Sequence, residues 1–112
     1  MPNSDQTSAA VVEAARELFA RWARRGQDAG LVIVVNPINR LFWRRWRIVE
    51  GLDVRVGCHR APPPEGLTPG GHRALRFPVR ERQPFSSHWT IIEDLDSVVA
   101  KIELQLTKWT TA

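Results

Sequence analysis

Residues 41–60 read LFWRRWRIVEGLDVRVGCHR, and the fold turns on whether this stretch is coiled or extended. As a helix it would be capped by Asn36, open with Pro37 and stop at Gly51. Its apolar stripe would be Ile38, Leu41, Phe42 and Val49, with Arg45 set in the middle. As a strand from about 41 to 49 it turns at Glu50-Gly51-Leu52 into a second strand, DVRVGCHR, through a three-residue loop with glycine inside. That register pairs Ile48 with Val54 and Trp46 with Val56, while a two-residue loop would mix apolar and charged residues on each face. The extended reading is preferred because it keeps the faces distinct. It sends Phe42, Trp46 and Ile48 inward, and Trp43, Arg45, Arg47, Arg55 and His59 outward. Arg44 is left inward and must reach water from an edge.

Upstream, LVIVV (31–35) is a β-branched run suited to a buried strand, and Asn36-Pro37-Ile38-Asn39 suits a tight turn. Before it, Val11, Ala15, Leu18 and Trp22 recur at helical spacing, which predicts a helix over 5–25. Asp5, Thr7 or Ser8 would cap its start, and Gly26 would end it. Downstream, APPPEGLTPGGHR (61–73) is too rich in proline and glycine for regular structure, and a loop this long is either functional or disordered. LRFPVRER (75–82) alternates again, with Leu75, Phe77 and Val79 inward and Arg76 and Arg80 outward. Pro78 implies an edge or a bulge. HWTII (88–92) is a further strand. Asp94 or Asp96 then caps a last helix with the stripe Leu95, Val99, Ile102, Leu106 and Trp109. The expected fold is α+β: a four- or five-stranded, mostly antiparallel sheet with the N- and C-terminal helices packed on one face.

The chain has 112 residues, the size of one domain, and five tryptophans with four phenylalanines supply bulk for a single core. No run approaches the ~18 apolar residues of a membrane span, and MPNSDQTSAA has no secretory pattern. The one cysteine, Cys58, excludes an internal disulfide and a cysteine-rich zinc site. A cytoplasmic protein without a cofactor is expected.

The net charge of +4 is unevenly distributed. Residues 40–82 hold ten arginines against four acidic residues, whereas the stretch from 83 onward holds two lysines against four. Such asymmetry points to a polyanionic partner, although the ratio of 14 arginines to two lysines also fits a codon bias. On the extended reading, the outward face gathers Trp43, Arg45, Arg47, Arg55, His59, Arg76 and Arg80, with Arg47 directly opposite Arg55. Guanidinium groups suit phosphate, and an exposed tryptophan suits an unpaired base. The expectation is a non-enzymatic binding protein for nucleic acid, a nucleoprotein complex or an acidic protein patch, such as an inhibitor or accessory factor of a mobile element.

Catalytic patterns are sparse. Cys58 and His59 are strand neighbours and point to opposite faces, so they form no thiolate–imidazole couple. Ser86-Ser87-His88 is no triad, Gly70-Gly71 is no phosphate loop, and His59, His72 and His88 lack a metal-ligand spacing. One enzymatic alternative stands: a small basic endoribonuclease with His59 as proton carrier among arginines and His72 supplied from the loop. A structural subunit that self-associates through its open sheet is a third reading, and a membrane-surface role would need the helical reading of 41–49.

Overall fold

The computed structural model describes residues 7–42 and 46–111, with Phe42 described by its backbone. The elements run α1 (Ser8–Asp28), β1 (Leu31–Phe42), β2 (Arg47–Cys58), β3 (His72–Arg82), β4 (Thr90–Ile91) and α2 (Leu95–Thr111). The strands form an antiparallel sheet in the order β1-β2-β3-β4, an α+β arrangement with a helix at each end of the chain. Both helices contribute to one apolar cluster against the same sheet face, giving a slab only 17 Å thick along its shortest axis.

The helices follow from their periodicity. Thr7 accepts the Ala10 amide at 3.1 Å and starts α1, which buries Val11, Ala15, Leu18 and Trp22. Gly26 does not end this helix. A Cβ there would stand 2.8 Å from Ile33 Cδ1, so Gly26 lets α1 lie close on β1, and the left-handed residue beyond the helix is Gly30 (φ 78°). Asp94 caps α2 by accepting the Asp96 and Ser97 amides. The buried stripe of α2 is Leu95, Val98, Ile102, Leu106 and Trp109, with Val99 at its margin.

The 31–58 region is extended, but it turns elsewhere than its glycine suggests. β1 and β2 pair without a break from Leu31↔Cys58 to Phe42↔Arg47. Asn36-Pro37-Ile38-Asn39 and Glu50-Gly51-Leu52 are therefore strand, and the two strands meet at the Phe42↔Arg47 end. This register sets Ile33 against Val56 and Val35 against Val54, joining the two most β-branched runs beneath the helices. Pro37 is tolerated because β1 is an edge strand, where a missing amide need not break a ladder. The expected pairs Ile48–Val54 and Trp46–Val56 do not occur. Trp46 lies just before β2 with φ 50° and is 55% exposed, so it is not a core residue.

Gly51 marks a bulge. It pairs with Pro78, whereas Glu50 pairs with Arg80, leaving Val79 unopposed on β3. A Cβ on Gly51 would come within 2.2 Å of the Phe77 carbonyl oxygen, so only glycine fits without displacing backbone. The extra residue resets the alternation. Val79 is buried in the core, and Arg80 follows it to the helix side instead of projecting outward.

There Arg80, 9% exposed, donates from Nε to Glu50 Oε1 at 2.8 Å and from Nη2 to Ser8 Oγ at 3.0 Å. Ser8 donates in turn to Glu50 Oε2 at 2.7 Å, and the Trp89 ring lies 3.9 Å from the Arg80 guanidinium. The 61–71 loop is tied to the rest of the fold at several points. Gly70 donates to the Cys58 carbonyl, Trp109 Nε1 donates to the Glu65 carbonyl, and Leu67 enters the core.

Candidate functional site

The sheet face opposite the helices is set by strand parity. Leu31, Ile33, Val35, Leu52, Val54, Val56 and Cys58 belong to the core, so Arg47, Gly57, Asp53 and Arg55 on β2, with their partners on β1 and β3, point the other way. The partners in successive rows include Val32 and His72 beside Gly57, Val34 and Ala74 beside Arg55, and Asn36 and Arg76 beside Asp53. Further along the hairpin come Arg40 and Glu81 beside Val49. No described helix covers this face.

Arg47, Arg55, Arg76 and His59 all lie on it. Trp43 and Arg45, the two remaining hairpin positions expected there, fall outside the described residues. Arg80 is not on the face, for the reason given by the bulge. Arg47 and Arg55 do not oppose each other, since they sit on the same strand. Arg55 faces Val34 and Ala74, so the expected like-charge contact is absent. Arg40, which the alternation of a shorter strand did not single out, is an exposed member of the face.

The four arginines differ in what holds them. Arg47 Nη1 lies 3.2 Å from Glu81 Oε2, in the row beside Val49, which is buried on this face outside the main core, as is Ile38 nearby. Arg55 Nε donates to Asp53 Oδ2 at 3.0 Å. Asp53 is 6% exposed and its Oδ1 has no hydrogen-bond partner among the described residues, so one carboxylate edge orients Arg55 while the other stays unsatisfied. The guanidinium groups of Arg40 and Arg76 make no ion pair or hydrogen bond with a described residue. Among the described residues the face therefore sets four guanidinium groups against two carboxylates.

At one end of it two histidines meet. Gly57 stands directly opposite His72, the first residue of β3, and His59 lies two residues beyond Gly57 on the same face. The point where a Cβ on Gly57 would stand is 3.1 Å from His72 Nδ1 and 3.8 Å from His59 Nε2. A missing side chain leaves the space that both rings enter, and both residues remain exposed. His72 belongs to a strand and not to the loop where sequence placed it. The clue was Gly57 itself, a glycine inside an alternating run, which marks close approach by a neighbour. Cys58, between these residues in sequence, is buried on the helix side, with Sγ 3.6 Å from the Arg60 carbonyl. The described residues contain no group of three or more histidines, cysteines or acids placed to hold a metal.

Concave features among the described residues also lie away from this face. A shallow groove of about 500 Å³ beside Ser8, Glu50, Arg82, Phe85 and Trp89 borders the Arg80 network. Its charged groups are already engaged: Arg82 donates to the carbonyls of Gln83, Pro84 and Ser86, and Glu50 holds Arg80. A smaller one, about 290 Å³, lies between the 64–66 segment and α2, where Arg73 is bonded to the Gly66 carbonyl and set over Trp109. No described helix is long and apolar enough to cross a membrane. No protein-family model, no curated protein and no solved structure matches the chain.

Proposed function

We propose that the protein binds nucleic acid through the open face of its sheet. The observation that carries this reading is the contrast among arginines on one surface that no described helix covers: Arg40 and Arg76 pair with no carboxylate among the described residues, and Arg55 is oriented by one. A guanidinium already satisfied inside the fold has little to offer a ligand, whereas a solvated one can form paired bonds to phosphate oxygens. Successive rows on a strand face recur at about 6.7 Å, a spacing that suits the phosphates of an extended single strand. Trp46 is exposed at the hairpin tip, beyond the Arg40 and Arg47 rows, where a base can stack on it.

Fluorescence anisotropy with labelled single-stranded and duplex oligonucleotides over a range of salt tests the reading. Binding is expected to weaken linearly in log salt, and an Arg40→Glu, Arg76→Glu double variant is expected to bind at least tenfold more weakly, with a slope shallower by about 1.5 for a single strand. An unchanged affinity in that variant, with its circular dichroism and unfolding midpoint preserved, rules the face out. Failure of the native protein to bind any oligonucleotide at low salt would transfer the same surface to an acidic protein partner.

A further inference from the structure

We infer that His59 and His72 form a general acid–base couple that cleaves phosphodiester bonds in RNA bound on this face. The inference rests on the nucleic-acid reading and narrows it to one substrate class. Three features converge at the same end of the sheet. Two imidazoles enter the space left by Gly57, each with a ring nitrogen within 4 Å of the missing Cβ. Both side chains are solvent-exposed, so a substrate can reach them from above the sheet. Arg55 occupies the next position along the same strand face. Its Nε is held by Asp53 Oδ2 at 3.0 Å and its side chain is 55% exposed, so the guanidinium is oriented by one carboxylate and still reached from solvent.

Acid–base cleavage of RNA asks for these groups and little more. One neutral imidazole accepts the proton of a ribose 2′-hydroxyl as the 2′-oxygen forms its bond to phosphorus. The other, protonated, delivers its proton to the 5′-oxygen as the phosphorus–O5′ bond breaks. The products are a 2′,3′-cyclic phosphate and a 5′-hydroxyl. One proton is taken up and one released by the couple, so the step balances without a further reactant. Arg55 opposes the negative charge that builds on the non-bridging oxygens. Val32, opposite Gly57 on β1 and half exposed, gives the site an apolar floor for the ribose or base.

The test pairs cleavage with binding on the full chain. A labelled RNA and its all-deoxy counterpart are offered to the native protein and to the His59→Ala and His72→Ala variants. The native protein is expected to bind both strands, to cut only the RNA and to leave cyclic-phosphate ends. Each variant is expected to lose at least about 100-fold in the single-turnover cleavage rate measured at saturating protein, where a change in affinity does not enter. If the native protein binds both strands and cuts neither, the inference falls and the binding face stands. If either variant cuts RNA at the native rate, the couple is not the agent and the inference falls. If neither strand is bound, the reading of the face fails and takes the inference with it.

Discussion

Arg76 and Arg80 lie four residues apart on β3 and end in opposite environments. Arg80 is enclosed on the helix side, hydrogen-bonded to Glu50 and Ser8 and stacked on Trp89. Arg76 stands on the open side in a row with Asn36 and Asp53, and its guanidinium is bonded to no described residue. Val79, the unopposed residue of the bulge, separates the two fates. On one side of this sheet arginine charge has been turned into structure, and on the other it is left for solvent or a partner. A count of basic residues does not distinguish the two, because desolvation and internal pairing decide what a charge can still do.

The sharpest way to break the comparison is to remove Arg80. Arg80→Ala leaves the Glu50 carboxylate buried with Ser8 as its one remaining side-chain partner among the described residues, and chemical denaturation should show a loss of about 3–5 kcal/mol. Arg76→Ala should stay within about 0.5 kcal/mol of native. Equal losses in the two variants would erase the distinction between the faces.

The bulge that creates the difference can be challenged next. Gly51→Ala forces a methyl group into the Phe77 carbonyl and the Pro78 backbone, and the backbone shift should cost about 1–3 kcal/mol. A native unfolding midpoint would mean that the strands are not held in this register. The smallest effect concerns the intermediate case, Arg47 with Glu81, whose side chains are 34% and 20% exposed. A double-mutant cycle on this pair should give a coupling of about 0.2–1 kcal/mol. A coupling as large as the loss in Arg80→Ala would show that the open face is as closed to solvent as the helix side.

Much of the architecture was legible along the chain. The α1 stripe from Val11 to Trp22, the cap at Asp94, the extended character of 31–35 and 53–58, and the separation of Cys58 from His59 all express local periodicity, which neighbours in sequence suffice to define. The hairpin turn was not legible in the same way. Alternating apolar and charged residues fit more than one register, and a glycine such as Gly51 serves a turn or a bulge equally well at the level of sequence. Arg80 was misplaced for the same reason: strict alternation puts it outward, and a single extra residue puts it inward. The candidate site was legible as composition and only in part as geometry. Arg47, Arg55, Arg76 and His59 could be assigned to one face, but Arg40 and His72 joined it only once the long β1–β2 pairing and the start of β3 were established.

By itself, then, the order of residues determined which segments coil, which extend and which side chains seek the interior, since those outcomes depend on steps of two or three to four residues along the chain. Tertiary structure alone decided which strand residues stand side by side, because pairing is chosen by the total burial beneath two helices and by where a bulge can form. The Arg80–Glu50–Ser8 network and the meeting of His59 with His72 over Gly57 both follow from that choice.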